Sequence, residues 1–427
     1  MFKNLRWILV LLLFLVYMIN YLDRVALSLT VPMVEKDLMI NAEQFGMIFG
    51  SFFFGYALFN FVGGLATDKF GPKIVLGAAV GLWSIFCGMT ALATGFWSLL
   101  ILRVLFGMAE GPICASANKA INGWFPKKQA ATAMGLLSAG SPLGGAVAGP
   151  IIGYLALAYG WRPAFAIICM IGLVWMAIWF FVAADNPAKS KHVTAEERAL
   201  VEKMKAQQPG DEADLAESSH GLGYYLRQPI ILVTAFAFFS YNYILFFFLS
   251  WFPAYLVQAH GLDIKSMSIT TMIPWIVGFV GLALGGWISD KIFNITGKLL
   301  LSRKIVLVFS LLAAAVCVAL AGTIKEVNSA VMMMSISIFF LYITGAIYWA
   351  IIQDVVHKSR VGSVSGFIHL VGSLSGIIGP IVTGFIVQHT GKFDSAFVLA
   401  GVVAGLGALL VLFVIRSPKT TNKAVSV

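Results

Sequence analysis

Four charged side chains lie deep inside stretches of sequence that are otherwise apolar: Asp23, Arg24, Arg103 and Glu110. A fifth, Lys119, lies near a predicted helix end, where a long side chain can reach the interface. Charges within a membrane are costly and mark function or a specific pairing. An arginine offers a planar fork to a carboxylate, and a buried acid can hold a proton near neutral pH. The pattern favours anion binding coupled to protons, with a structural ion-pair cluster as the alternative.

The surrounding stretches have the length and composition of membrane-spanning helices. The chain has 427 residues, of which 59% are hydrophobic and 11% charged, and its mean hydropathy is +0.90. Soluble domains carry about 25% charged residues, so a water-soluble enzyme and a nucleic-acid-binding domain are excluded. A helix needs about 20 apolar residues to cross the hydrocarbon. The sequence predicts an all-α membrane protein with twelve transmembrane helices, near 7–33, 44–67, 74–93, 96–121, 132–156, 162–183, 229–256, 267–289, 304–322, 328–353, 361–387 and 395–415.

The distribution of basic residues predicts how the chain is oriented. Alternate gaps between the predicted spans hold 21 of the 29 lysines and arginines, and the other set of gaps holds 5. Loops rich in Lys and Arg stay in the cytoplasm. We therefore expect both termini and the loop at 184–228 to be cytoplasmic. The net charge of +10 is a consequence of this topology, and no nucleic-acid partner is needed.

The two halves of the chain resemble each other, which is typical of secondary transporters with a site between the halves. The polar stretch 184–228 separates a six-helix bundle at 1–183 from a second at 229–427, so we expect two pseudo-symmetric bundles. Within the stretch, Thr194 and Glu197 have capping-box spacing and predict a helix of roughly three turns. Gly-Gly-x-x-x-Asp-Lys occurs after spans 2 and 8, and we expect gating contacts there from Gly64, Asp68, Lys69, Asp290 and Lys291.

This repeated signature, the twelve spans and the central loop resemble the major facilitator superfamily. Two further motifs narrow the resemblance to its anion:cation symporter family, namely Asn20-Tyr21-x-Asp23-Arg24 in span 1 and Arg103-x-x-x-Gly107-x-x-Glu110-Gly111-Pro112 in span 4. That family includes bacterial galactonate, glucarate and hexuronate carriers and relatives of the lysosomal sialic acid exporter. Its bacterial members are generally proton-coupled carriers of organic anions.

The resemblance implies roles for individual residues. Asp23 and Glu110 would handle protons, Arg24 would couple protonation to the substrate or a gate, and Arg103 would hold or influence the anion. Further candidate substrate-binding residues match pocket positions of the family or are polar residues in spans 1, 2, 5, 7, 10 and 11: Tyr21, Tyr56, Ser138, Ser141, Tyr241, Asn242, Trp349 and His369.

Some of these positions depart from the family's pattern. Ser138 and Ser141 stand where many sugar-acid carriers have amides, and His369 stands where an asparagine is frequent. Fewer amides leave fewer partners for sugar hydroxyls, so a smaller or aromatic carboxylate, or a sulfonate, stays open as the substrate. His369 could contact the substrate, carry a proton or be hydrogen-bonded in the core. The tyrosine and asparagine of span 7 could face the substrate or satisfy neighbouring groups.

We therefore predict a secondary active transporter, not an enzyme, that carries an organic anion with protons by alternating access. A sugar acid such as a hexonate, hexuronate or aldarate is the first choice of substrate, and export or exchange is the alternative mode. The expected partners are the small anion, protons and the lipid bilayer, with no cofactor, no metal and a monomeric state. The expected location is the bacterial cytoplasmic (inner) membrane.

Overall fold

The computed structural model describes residues 4–206, 221–357 and 360–415, and within them lie twelve helices long and apolar enough to cross a membrane. They confirm the twelve predicted spans and extend several of them, because the helices continue past their apolar parts. In chain order, spans 1 to 12 are Leu5–Leu38, Ala42–Phe70, Pro72–Leu92, Phe96–Trp124, Thr132–Tyr159, Trp161–Val182, Pro229–Gln258, Ile264–Thr296, Leu299–Thr323, Val327–Val355, Val361–Thr390 and Asp394–Val414.

Spans 4 and 10, which correspond in the two halves, are each interrupted by two residues, whereas spans 5 and 8 have shorter breaks of one residue. Span 4 consists of the helices Phe96–Glu110 and Ile113–Trp124, and span 10 consists of Val327–Thr344 and Ile347–Val355. In span 4 the break falls at Pro112, which has no backbone N–H to donate and whose ring crowds the preceding turn. The break therefore follows immediately after Glu110 and orients that side chain within the first half.

The spans pack in two groups. Spans 1–6 contact one another, as do spans 7–12, and the two halves meet where span 2 packs on span 11, span 5 on span 8 and span 1 on span 7. This arrangement confirms the two-bundle architecture. The exact bounds proposed for the connector stay a prediction, since residues 207–220 lie outside the described part of the chain.

The two halves approach each other closely at one end of the bundle. At the end remote from the connector, a Cβ at Gly46 of span 2 would lie 2.6 Å from the Pro380 carbonyl oxygen of span 11, and one at Gly149 of span 5 would clash with the Ser268 carbonyl of span 8. Such close helix approach needs glycine. At the connector end, a Cβ at Gly135 or Gly362 would meet no other segment within 4 Å.

The connector helix, Ala195–Ala206, docks onto the start of span 1, where Glu197 makes hydrogen bonds and the Met204 sulfur lies 3.8 Å from the Arg6 guanidinium. Thr194 Oγ1 accepts a hydrogen bond from the Glu197 N–H at 3.2 Å, as the capping motif predicts. The Glu197 carboxylate instead accepts from the backbone N–H groups of Leu5 at 2.8 Å and Arg6 at 3.1 Å, and so caps span 1. The side chain of Glu197 is 6% exposed, so the connector supplies a buried anion to the positive end of the helix dipole.

Glu197→Ala should lower the stability of the protein by about 1–3 kcal/mol, because two N–H groups of span 1 lose a charged acceptor. A thermal-shift measurement on the purified protein in detergent checks this expectation. Glu196→Ala is the matched control, since Glu196 is exposed in the same helical turn. Equal losses in the two variants would contradict the capping role.

Candidate functional site

One face of span 1 lines a cavity between the two halves. Tyr17, Asn20, Tyr21 and Arg24 follow one another at helical spacing and all border this cavity, which has a volume of about 220 Å³. Arg24 is the only Arg, Lys, Asp or Glu among the described residues that line it. The volume is below the range of about 300–1,000 Å³ that is typical of sites for drug-sized ligands, so the cavity suits a smaller molecule.

The second half contributes an aromatic wall to the same cavity. Phe238, Tyr241 and Asn242 come from span 7, Trp349 from span 10 and His369 from span 11. The His369 ring lies 6.0 Å from the Trp349 ring at an interplanar angle of 27°, and the Phe238 and Trp349 rings meet edge to face at 5.2 Å. Such rings offer apolar surface together with polar edges. The permanent charge therefore comes from the first half, and the second half adds its aromatic wall to the rings of Tyr17, Tyr21 and Tyr56.

Arg24 forms a buried ion pair with Glu110. Its Nε donates to Glu110 Oε2 at 2.6 Å, and the two side chains are 6% and 0% exposed. The guanidinium also lies over the rings of Tyr56, at 4.8 Å from the centroid, and Phe52, at 4.9 Å. These contacts hold a planar cation at the cavity wall while Glu110 stays behind it. Glu110 Oε1 makes no hydrogen bond of good geometry among the described residues, and the Asn20 side chain lies near this carboxylate.

Asp23 and Arg103 lie away from the cavity. Asp23 is 1% exposed, and its Oδ2 accepts a hydrogen bond from Trp83 Nε1 of span 3 at 3.2 Å. The Arg103 guanidinium stacks over Phe52 and Phe106, each at 5.1 Å. Neither residue is among those that border the cavity. In this conformation the structure thus brings Arg24, and not Arg103, to the place where an anion could bind.

Of the remaining candidate binding residues, some border the cavity and one does not. Ser141 borders the cavity, whereas Ser138 does not, and the Ser138 hydroxyl donates to the Met134 carbonyl at 2.7 Å. The Asn242 amide nitrogen donates to the Phe238 carbonyl at 2.8 Å. The other candidates that border the cavity are Tyr21, Tyr56, Tyr241, Asn242, Trp349 and His369.

The repeated Asp-Lys signature lies at the connector end of both halves, and each aspartate faces a basic residue of its own half. Asp68 pairs with Lys119 at 2.7 Å, which assigns Lys119 a structural partner. Asp290 lies 3.5 Å from Arg303, whose Nε also lies 3.6 Å from Asp354. The neighbouring residues of the signature lie at the surface. Lys69 and Lys291 are exposed and lie over aromatic rings, and Gly64 is half-buried with space beside it.

Several residues that border the cavity are not among the predicted site residues, although helical periodicity would predict each of them. Each lies three, four or seven residues from a residue that was singled out, on the same helix face. They are Tyr17, Asn20, Cys114, Phe238 and Ser373. Asn20, the first residue of the Asn-Tyr-x-Asp-Arg motif in span 1, is one for which the family resemblance implies no role.

A second, larger cleft leads from the cavity towards the connector end. It has a volume of about 740 Å³, lies between spans 2 and 11, and shares Trp349, His369 and Ser373 with the cavity. Asn60 and Ser363 lie on its two sides. At the remote end, Gly46 of span 2 packs closely on span 11 and Gly149 of span 5 packs closely on span 8, and we call these two contacts the glycine seams. The cleft therefore extends the cavity towards the connector end, away from the glycine seams.

A family model described as the Major Facilitator Superfamily matches residues 13–380 and 297–426. The chain belongs to the major facilitator superfamily. With its twelve apolar helices, this superfamily member is a multi-pass membrane protein. The family and the relatives are transporters rather than enzymes, which confirms the expectation that the chain is not an enzyme.

Curated relatives within the superfamily match nearly the whole chain. A hexuronate transporter of Bacillus subtilis is 48% identical over 97% of this chain and 96% of its own length. A probable sulfoacetate transporter of Cupriavidus necator is 32% identical, with 94% and 91% covered. A probable galactarate/D-glucarate transporter of Escherichia coli is 31% identical, with 97% and 95% covered.

Solved structures of other superfamily members share the fold. The inward-facing, occupied structure of a bacterial homologue of the human lysosomal transporter Spinster has a TM-score of 0.78 at 18% identity, and each chain is covered to 98%. A D-xylose–proton symporter has a TM-score of 0.74 at 14% identity, with 96% and 97% covered. At these identities the likeness concerns the fold alone.

The buried pair predicts strong coupling between Arg24 and Glu110. Arg24→Gln and Glu110→Gln should each lower the free energy of unfolding by about 3–5 kcal/mol, since each leaves a buried charge alone, and the double variant should lose less than their sum. Thermal or denaturant unfolding of the four proteins measures the coupling. The exposed Arg162–Asp37 pair, 3.0 Å apart, is the control and should couple by about 0–1 kcal/mol. Additive losses at Arg24 and Glu110 would contradict the pairing.

Proposed function

We propose that this chain is a secondary active transporter that carries a hydroxylated organic anion, a sugar acid of the hexuronate class, together with protons. The observation that carries the proposal is the guanidinium of Arg24, which is held by Glu110 at the wall of a small cavity between two helical bundles. A planar cation at such a wall matches a carboxylate, and a site between the halves suits a carrier.

The choice of substrate rests on size, chemistry and similarity. A cavity of about 220 Å³ has room for a small acid, and its tyrosine, asparagine, serine and histidine side chains offer partners for hydroxyl groups. The hexuronate transporter that is 48% identical supports a hexuronate first, and the galactarate/D-glucarate relative supports the wider class of sugar acids. The sulfoacetate relative keeps a small sulfonate as the second candidate.

In this proposal, protons are coupled to transport because Glu110 and the carboxylate of the substrate compete for Arg24. An ionised Glu110 holds the guanidinium, whereas a protonated Glu110 releases it to the carboxylate of the substrate. The proton that neutralises Glu110 thus travels with the anion and leaves when the site faces the other side. Asp23, hydrogen-bonded to Trp83, is the second proton-handling acid, and Arg103 influences the field from behind the cavity without touching the anion.

In alternating access, the end remote from the connector would open while the connector end closes. The glycine seams of spans 2 and 11 and of spans 5 and 8 would open, and the Asp-Lys signatures at the connector end, with Gly64, Asp68, Lys69, Asp290 and Lys291, would meet the opposite half. By the positive-inside distribution, the connector end and both termini face the cytoplasm of a bacterial inner membrane. The carrier works as a monomer, and a proton gradient, with no bound cofactor, supplies the energy.

Reconstituted protein tests the proposal. Proteoliposomes with an acidic exterior and an alkaline interior should accumulate labelled glucuronate above its external concentration, and a protonophore should abolish the accumulation. Competition by galactarate, galactonate, sulfoacetate and benzoate ranks the substrate classes. Accumulation of sulfoacetate alone would favour the sulfonate candidate, and downhill exchange without accumulation would favour an exchanger.

Glu110→Gln should abolish proton-driven accumulation, because the side chain can no longer gain or lose a proton. Exchange of internal for external glucuronate should persist in part, since Arg24 is then free for the anion. Parallel measurements of accumulation and exchange in the same proteoliposomes separate the two effects. Full uphill uptake by this variant would refute the role of Glu110 in proton coupling.

A further inference from the structure

Two tyrosine hydroxyls in the cavity converge on a thiol. The hydroxyl oxygens of Tyr17 and Tyr56 each lie 3.8 Å from Cys114 Sγ, and all three residues border the cavity. Sulfur is a weak hydrogen-bond acceptor and a thiol is a weak donor, so Cys114 is a poor partner for both hydroxyls. The Tyr56 hydroxyl also lies near the Arg24 guanidinium. Three spans thus present polar groups whose hydrogen-bonding capacity is still available to a ligand.

Asn20 adds an independent observation on the same wall. Its side chain is 2% exposed and borders the cavity, and its Nδ2 makes no hydrogen bond of good geometry among the described residues, although it lies near the Glu110 carboxylate. A buried amide donor without a well-aligned acceptor is unfavourable, so its presence needs an explanation. A hydroxyl oxygen of a bound ligand would supply that acceptor.

These groups lie at graded distances from the anion-binding arginine. Along span 1, Asn20 is one turn, about 6 Å, from Arg24, and Tyr17 is two turns, about 10 Å, from it towards the connector end. A six-carbon sugar acid with its carboxylate on Arg24 would therefore place its nearer hydroxyls beside Asn20. Its farther hydroxyls would approach Tyr17 and Cys114.

We propose that Tyr17, Asn20 and Cys114, together with Tyr56, form a subsite that recognises the hydroxyl groups of the substrate. The inference rests on the proposed function and deepens it, because it names the feature that distinguishes a sugar acid from other carboxylates. An acid without hydroxyls gains the contact with Arg24 but leaves the subsite's donors unpaired. Sites built to hydrogen-bond a hydroxyl reject analogues that lack it far more strongly than apolar pockets reject a missing methylene.

A binding comparison tests the subsite. Glucuronate and cyclohexanecarboxylate share a six-membered ring and a carboxylate, but only glucuronate carries hydroxyls. We measure the ratio of their dissociation constants by thermal shift or competition for the wild type, Asn20→Leu and Tyr17→Phe. Each variant should reduce the wild-type preference for glucuronate about fivefold or more. Tyr154→Phe is the matched control, because it removes a hydroxyl from an exposed position of span 5.

The outcomes separate the two proposals. An unchanged ratio in Asn20→Leu and Tyr17→Phe, with glucuronate still bound, would overturn the subsite and leave the carrier proposal intact. Failure of the wild type to bind any of these acids would overturn the proposed function itself. Arg24→Lys should weaken both ligands alike, because it removes the shared carboxylate contact.

The native cysteine offers a measurement that needs no substitution in the cavity. Glucuronate should slow the alkylation of Cys114 by N-ethylmaleimide, followed by peptide mass spectrometry, about fivefold or more. Cyclohexanecarboxylate at equal occupancy should protect it less, because it leaves the subsite open. Cys317 on span 9 does not border the cavity and serves as the internal control. Equal protection of Cys114 by both acids, or of Cys317 as well, would overturn the subsite.

Discussion

The buried pair of Arg24 and Glu110 is the constraint on which the rest of the site depends. Each charge would be strongly unfavourable alone in a helical bundle, and each becomes tolerable because the other lies 2.6 Å away. The pairing requires spans 1 and 4 to meet at one depth, with the rings of span 2 covering the cation. Pro112 interrupts span 4 directly after Glu110, so the carboxylate lies at the end of the first helix of this span.

The division of chemistry between the two halves follows from this pair. The first half holds the arginine, its counter-ion and the hydroxyls of Tyr17, Tyr21 and Tyr56. The second half presents Phe238, Trp349 and His369, together with the hydroxyls of Tyr241 and Ser373. Both partners of the pair belong to the first half, so a movement of one half against the other would not by itself separate them. Such a movement would shift the aromatic wall relative to Arg24. The glycine seams at the remote end and the cleft at the connector end are the surfaces that such a movement would exchange.

Local sequence patterns predict a large part of this molecule, because helix formation in a membrane depends on short-range composition. All twelve spans are found, and the helix after Thr194 forms where the capping motif predicts. The break in span 4 was not among the predictions, although Pro112 lies at it. Local patterns do not predict partners that are remote in the chain. Glu197 has the spacing to cap its own helix, yet its carboxylate caps span 1, because docking brings two N–H groups within reach.

Composition and span length were enough to establish the membrane class and the number of spans, and the sequence also revealed the four charges from which a site could be built. It did not determine how those charges pair, because Asp23, Arg24, Arg103 and Glu110 allow more than one arrangement. The tertiary structure joined Arg24 to Glu110, turned Asp23 towards Trp83 and left Arg103 outside the cavity. It also placed Ser141 at the cavity and Ser138 away from it. The physical reason is that periodicity defines a face of one helix, whereas rotation and depth relative to other helices are set by packing.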